Sequence, residues 1–300
     1  MHELTDSAPL LQDAPALRGR LAEDGYLFFR SLLPVDDVQQ VRTGVFGVLA
    51  SAGWLADGAT VQSPVPTAAA VREGGPGYFD AYVGIQRLQP LHELAHHPAL
   101  TRLMQDILDE PLLVHPRKIA RTSLPKDDEY TPPHQDYRLI QGSVDTLTCW
   151  VPLGDCPASL GSLRMLRGSH LDGLVEADPG KGPGGLQVEV DDDDPRWCTS
   201  DYRAGDVIVF TSLTVHGALR NNEEHLRFSC DFRYQSLREP VLAASLDPHY
   251  APQVPPWESL AEGWSSRASV EAPAGVVLAE MVPPLDPALQ APPSRLLALV

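Results

Sequence analysis

The spacing of apolar positions changes character about a third of the way along the chain. Residues 35–52 carry Val38, Val41, Val45 and Val48 or Leu49 at helical intervals and stop at Gly53, which predicts an amphipathic helix. Residues 54–80 lose that period, and Gly58, Pro64, Pro66 and the cluster Gly74, Gly75, Pro76, Gly77 predict loop. The helical spacing returns over 91–109, with a break at Pro98. From residue 112 the period shortens. LLVHPRKIART, YTPPHQDYRLI, DTLTCWVPL, SLRML, LQVEV, DVIVFTSLTVH and RFSCDFRYQ read as strands punctuated by Gly, Pro and Asp. Helices followed by many short strands imply an α+β fold in which the strands close a double-sheet jelly roll, a double-stranded β-helix, with the N-terminal helices packed outside.

No linker of flexible composition interrupts this region, so residues 1–238 are expected to form a single domain, helical over 1–110 and jelly roll over about 112–238. Residues 239–300 hold 11 of the 29 prolines, with Trp257 and Trp264 in the only helix-like piece. That segment reads as an appendage packed on the barrel or on a partner subunit, the second case giving a homodimer. Residues 171–186 contain five glycines and two prolines. A loop of that length inside a compact domain is commonly functional or disordered, so it is either a lid or a plain surface excursion.

Composition narrows the class. The 300 residues are 43% hydrophobic and 7% aromatic, as in soluble globular proteins. No run approaches the roughly 18 apolar residues of a membrane helix. The N-terminus lacks the basic flank and apolar core of a signal peptide, so a cytoplasmic protein is expected. Cys149, Cys156, Cys198 and Cys230 form no C-x-x-C pair and read as reduced, buried thiols. Lysine and arginine number 23 against 40 acids, a net charge of −17 that repels phosphate backbones and argues against a nucleic-acid partner. The Asp191–Asp194 run reads as a solvated loop.

The candidate chemistry lies in three runs. His134 and Asp136 form H-x-D in TPPHQDY, and side chains two apart on a strand share a face, so both are expected side by side. His216, on a later strand-like run, would complete a two-histidine, one-carboxylate face of the kind that holds Fe(II) and leaves three positions open. Read as a strand, RFSCDFRYQ puts Arg227, Ser229, Asp231 and Arg233 on one face and Phe228, Cys230, Phe232 and Tyr234 on the other. The R-x-S pair of Arg227 and Ser229 offers a fork for the distal carboxylate of a dicarboxylic acid chelated to the metal. Thr146, Thr148 and Trp150 share a strand face, and Ser212 and Thr214 share that of His216 if the strand is regular. Tyr137, Gln141 and Thr214 are candidate substrate contacts. His115 and His170 read as structural, and the helical pair His92 and His96 lacks a partner motif for zinc.

With these residues the chain resembles the phytanoyl-CoA dioxygenase family of Fe(II)- and 2-oxoglutarate-dependent oxygenases, whose core is a cupin-like jelly roll. The resemblance runs from about residue 17 to about 238: LAEDGYLFFRSLLPVDDVQQVR, the HQD motif, CWVPLGDCPASLGSLRMLRGSH, and GDVIVFTSLTVHGAL with Arg227 follow in the family's order. It implies iron on His134, Asp136 and His216, 2-oxoglutarate anchored by Arg227 and Ser229 beside Trp150 and Thr148, and O2 as oxidant. The implied reaction couples decarboxylation of 2-oxoglutarate to succinate and CO2 with oxidation, most directly hydroxylation, of a small biosynthetic molecule. Related halogenases lack the carboxylate, so Asp136 argues for hydroxylation, desaturation, epimerisation or ring closure. The chain departs from the family at Arg167, in place of the proline of P-G-S-H, and at Ala218, where a hydroxyl is common. It has no unambiguous equivalent of the family's lysine before HQD, with Lys118 and Arg121 nearby. The competing reading is a jelly-roll metal protein without redox turnover, either a zinc hydrolase or isomerase or a ligand-binding barrel.

Overall fold

Strand Arg227–Ser236 is buried along its whole length in the computed structural model, which describes residues 1–299. Its alternate side chains go to different places. Phe228, Cys230, Phe232 and Tyr234 enter the main apolar core. Arg227, Ser229, Asp231 and Arg233 point the opposite way, as the alternation predicts. The strand sits inside a six-stranded sheet. Tyr26–Phe29 pairs with Val207–Thr211, which pairs with Leu147–Pro152, which pairs with Arg227–Ser236. Leu112–Val114 and Ile119–Ser123 both pair along the far edge of Arg227–Ser236. A second sheet orders His2–Glu3, Trp197–Thr199, Leu163–Leu166 and His216–Ala218.

The two sheets meet through one cluster. Tyr26, Phe28, Trp150, Ile208 and Phe210 of the large sheet pack on Leu163, Met165 and Cys198 of the small one. The outer face of the large sheet is covered by helices. Ala14–Asp24, Val35–Ser51, Tyr78–Gln86, Gln89–Leu94 and Pro98–Leu108 supply the rest of the main core. Val35–Ser51 buries Val38, Val41, Val45 and Leu49, the stripe read from the sequence. Each such side chain contributes about 1.5–3 kcal/mol by leaving water. The expected break at Pro98 separates the last two helices. No helix among the described residues is long and apolar enough to cross a membrane.

Several expectations are corrected. Helix Tyr78–Gln86 begins inside the stretch read as loop, directly after Gly77. YTPPHQDYRLI is not a strand. Its two prolines offer no ladder donors, only His134 makes a bridge, to His216, and Tyr137–Ile140 is a helical turn. Of LQVEV only Leu186–Gln187 pairs, with Asp178–Pro179. DVIVFTSLTVH is two strands, because the chain turns after Thr211 and re-enters the other sheet at His216. The Asp191–Asp194 run is partly engaged, since Asp192 pairs with Arg164 at 2.7 Å and Asp194 with Arg196 at 2.9 Å. All four cysteines are free and buried.

The proline-rich C-terminal stretch packs on the body. Trp264 Nε1 donates to the Arg87 carbonyl at 2.9 Å, and Trp257 Nε1 to that of Leu246 at 2.8 Å. Val241–Leu242 pairs in parallel with Leu278–Ala279.

Gly25 closes the first helix at φ +79 and leads straight into the first strand of the large sheet. A Cβ there would lie 2.5 Å from His170 Nδ1 and 2.7 Å from Thr214 Oγ1. We expect Gly25→Ala to lose about 1–2 kcal/mol from the left-handed backbone alone, with the clash adding to it. A shift in the denaturant midpoint measures this, and an unchanged midpoint would refute it.

Candidate active site

The backbones of His134 and His216 exchange two hydrogen bonds, His134 N to His216 O at 2.9 Å and His216 N to His134 O at 3.0 Å. That pairing brings the two rings to 4.2 Å between centroids. Asp136 joins them by a different route from the one the sequence suggests. After His134 the chain turns helical, so Asp136, at φ −61 and ψ −33, caps the Tyr137–Ile140 turn, where strand geometry was expected. The three side chains are buried, and their ligand atoms lie within 4.8 Å of one another.

Hydrogen bonds decide which atoms face inward. Nδ1 of His134 donates to the Pro132 carbonyl and Nδ1 of His216 to that of Thr214, both at 2.9 Å. The Nε2 atoms are thereby left as bases, 3.7 and 4.0 Å from Asp136 Oδ1. A ring held by a carbonyl at one nitrogen presents the other to a metal in the right tautomer. Burial, then the neighbouring His216, pulls the His134 imidazole down to about 3, and burial lowers His216 as well. Burial alone would raise the Asp136 carboxyl, but Arg233 and the two histidines outweigh it and hold it well below the usual carboxylate range. Thr148 Oγ1 donates to Asp136 Oδ2 at 2.5 Å. Two neutral imidazoles and one carboxylate form a donor set suited to Fe(II).

Beside this triad is an inner cavity of about 20 Å³, walled by Thr148, Trp150, Phe210, Arg227 and Arg233 with the triad itself. Arg121, Thr131 and Arg227 also border an outer cavity of about 120 Å³, which reaches Glu73, Tyr130 and Pro183. Arg227 Nη1 donates to Ser229 Oγ at 2.9 Å, and its guanidinium lies 5.8 Å from the Trp150 ring. Its buried Nε has no partner. A buried donor without an acceptor is costly.

A family model for phytanoyl-CoA dioxygenase matches residues 21–229. The chain belongs to the phytanoyl-CoA dioxygenase family. It is a non-haem iron, 2-oxoglutarate-dependent oxygenase, with iron and 2-oxoglutarate as cofactors and O2 as oxidant. The oxygenase is 25% identical over 251 residues to 1-deoxypentalenic acid 11-beta-hydroxylase of Streptomyces exfoliatus, covering 78% of this chain and 86% of that one. Among solved structures it resembles the non-haem α-ketoglutarate-dependent epimerase SnoN from nogalamycin biosynthesis, with TM-score 0.55 and 21% identity over 80% of this chain and 91% of the other. The carbocyclase SnoK from the same biosynthesis gives TM-score 0.52 and 22% identity over 79% and 86%.

The remaining sequence candidates divide. Trp150 lines the inner cavity of the oxygenase. Thr148 does too, and its hydroxyl donates to Asp136. Thr214 is turned away, donating to the Gly25 carbonyl at 2.7 Å, and Ser212 donates to that of Val144 at 2.6 Å. The turn after Thr211 breaks the alternation that would have put them on the His216 face. Tyr137 and Gln141 also leave the cavity. Gln141 holds both backbone polar groups of Val282, at 2.7 and 3.0 Å, and Tyr137 packs on Val144, Leu213 and Leu289. Lys118 is fully buried, donates to the Ser269 carbonyl and does not line the inner cavity. Arg121 is occupied by Asp231 at 2.6 Å and Glu73 at 3.1 Å.

Two residues brace the triad in ways the sequence reading did not give. Gln135, fully buried between the ligands, donates to the carbonyls of Leu213 at 2.6 Å and Gly173 at 2.8 Å and accepts from Val175 N at 2.9 Å. It fastens the start of the 171–186 loop to the metal segment, and no local pattern announces that. Arg233 reaches both oxygens of Asp136 at 3.2 Å. The strand alternation had already put it on the face of Arg227.

Buried neutral histidines set the pH response of the fold. His92, His115 and His134 are each held near 3 by burial first, against an ordinary value of 6.5. Below about pH 6.5 the unfolded chain takes up protons that the folded one refuses, so stability falls as pH falls. Each histidine contributes up to about 1.4 kcal/mol per pH unit in that window. We expect the metal-free oxygenase to denature at lower urea at pH 5 than at pH 7; equal midpoints would contradict the burial of these rings.

Proposed function

We propose that this oxygenase hydroxylates a small-molecule intermediate of natural-product biosynthesis, with His134, Asp136 and His216 as the iron ligands. The observation that carries the reading is the convergence of two Nε2 atoms and Asp136 Oδ1, each fixed by a hydrogen bond on its far side, beside a buried arginine with an unpartnered donor. The bound iron supplies the oxidising chemistry, coupling decarboxylation of 2-oxoglutarate to substrate oxidation. The chain supplies position. Arg227, with the Ser229 hydroxyl against it, takes the C5 carboxylate, while Trp150 walls the same cavity. Arg121 is a poor alternative anchor because two carboxylates already satisfy it. Burial keeps water from competing for these donors.

Support for the substrate class comes from the relatives, which include hydroxylases named for 1-deoxypentalenic acid and enzymes of nogalamycin biosynthesis. The outer cavity, walled in part by Gly182 and Pro183 of the 171–186 loop, is the proposed approach for the substrate. On this reading the two facing sheets are the halves of a jelly roll in one domain over 1–238, with the proline-rich remainder as an appendage, in a cytoplasmic enzyme. The exposed Val277, Leu278 and Met281 make that appendage the proposed surface for a homodimer.

Anaerobic addition of Fe(II) and 2-oxoglutarate should give the weak visible charge-transfer band of a chelated 2-oxo acid, and His134→Ala or His216→Ala should abolish it. Arg227→Ala should leave iron content nearly unchanged while weakening 2-oxoglutarate binding. Removing one partner of a buried charge pair costs about 2–5 kcal/mol, which is roughly 30-fold to several-thousand-fold. Arg227→Lys keeps the charge without the fork and should fall between. An Arg227→Ala enzyme with unaltered 2-oxoglutarate affinity would move the anchor elsewhere.

A further inference from the structure

Arg233 has more donors than the protein uses. It is 5% exposed, and its Nη2 spans both oxygens of Asp136 at 3.2 Å each. Its Nε and Nη1 are buried with no hydrogen-bond partner. Arg121, in the same cavity, has no such deficit, because Asp231 takes its Nε and Glu73 its Nη1. Two unmet donors on one buried guanidinium are a substantial cost unless a ligand meets them.

The surroundings of Arg233 favour an anion. His115, Arg117 and His249 all lie within its electrostatic reach; burial, then the charge of Arg233, brings the Arg117 guanidinium down to about 10. The acids of this neighbourhood are Asp136, spanned by Arg233 itself, Asp231, paired with Arg121 at 2.6 Å, and Asp247, near Arg117. Both Arg227 and Arg233 line the inner cavity, from two positions on one strand face. Their Cα atoms are separated by roughly 20 Å along the strand, Arg227 bonding to Ser229 and Arg233 to Asp136.

We propose that Arg233 binds the metal-chelating carboxylate of 2-oxoglutarate, so that the cosubstrate is held by an arginine at each end, Arg227 at C5 and Arg233 at C1. Asp136 Oδ1 lies 3.7 and 4.0 Å from the two Nε2 atoms, so a carboxylate held on a metal among these three residues would share with Asp136 the neighbourhood of the Arg233 guanidinium. A guanidinium is built to serve two carboxylates at once, because its donors form a planar fork. The inference rests on the assignment of His134, Asp136 and His216 as iron ligands.

Pyruvate separates the two ends, because it keeps the chelating carboxylate and lacks the distal one. With Fe(II) saturating and oxygen excluded, pyruvate and 2-oxoglutarate are titrated into the full-length protein and its variants, with the charge-transfer band as readout and iron content measured separately. Arg227→Ala should weaken 2-oxoglutarate and leave pyruvate within about twofold. Arg233→Gln should weaken both acids by about tenfold or more. Arg233→Lys keeps a cation against Asp136 and loses the fork; it should hold iron and still bind pyruvate more weakly than the parent, and it decides the matter if Arg233→Gln loses iron. Iron-loaded Arg233 variants that take pyruvate with parental affinity would overturn the proposal and leave Arg233 serving Asp136 or the organic substrate. A parent protein that binds iron but shows no band with either acid would instead refute the assignment of the iron site.

Discussion

The reciprocal backbone pairing of His134 with His216 is the constraint around which the site is arranged. It joins the segment before the Tyr137–Ile140 turn to the first residue of a strand in the small sheet, and it fixes both rings before any ligand arrives. Because the pairing uses main-chain atoms, neither histidine depends on its own side chain for placement. The side-chain bonds to Pro132 and Thr214 then choose the tautomer. Preorganisation of this kind means that little conformational freedom remains to be lost on metal binding. The third ligand is less constrained by backbone and more by charge. Asp136 is held by Thr148 and Arg233, both on strands of the large sheet, so the triad depends on the two sheets staying in register.

That dependence explains the composition of strand Arg227–Ser236. One face is apolar because it supports the helical layer, and the other buries three charged side chains, which is stable only with partners. Asp231 has Arg121, Arg233 has Asp136, and Arg121 is shared with Glu73. Glu73 in turn accepts from Tyr250 at 2.8 Å, linking the long 54–77 loop and the C-terminal stretch to the cavity wall. Arg227 alone has no carboxylate partner among these residues, only the Ser229 hydroxyl. Arg227 is thus the one charged side chain on that strand without an opposite charge beside it.

The sequence was legible where its signals are local. A helical stripe such as Val38 to Leu49 and the two-residue alternation of RFSCDFRYQ survive in the structure, since burial on a face enforces the period that the sequence displays. The failures occur where tertiary hydrogen bonds override a local pattern. The chain leaves its pairing with His216 directly after His134, so Asp136 arrives from a helical turn. Thr214 looked like a cavity residue until the turn after Thr211 sent its hydroxyl to Gly25. Tyr137 and Gln141 were placed near the metal correctly in sequence but not in direction, because their partners, Leu289 and Val282, lie in a segment whose path no periodicity reveals.

That C-terminal segment has a clear physical part to play. Asp145 accepts from Arg295 N at 2.8 Å and from the Ser294 hydroxyl, and Arg138 donates to Pro284 O at 2.8 Å while also holding the Val175 carbonyl. Arg138 therefore ties three pieces together: the turn behind Asp136, the start of the 171–186 loop, and the tail. Gln135 makes a second tie between the first two. Proline-rich chain is suited to this use, since its restricted backbone loses less entropy on being ordered and its free carbonyls remain available to side-chain donors. The matched family region ends at residue 229, yet the turn that aims its metal carboxylate is braced from beyond residue 280. The chemistry of a fold and the contacts that hold it in position need not come from the same stretch of chain.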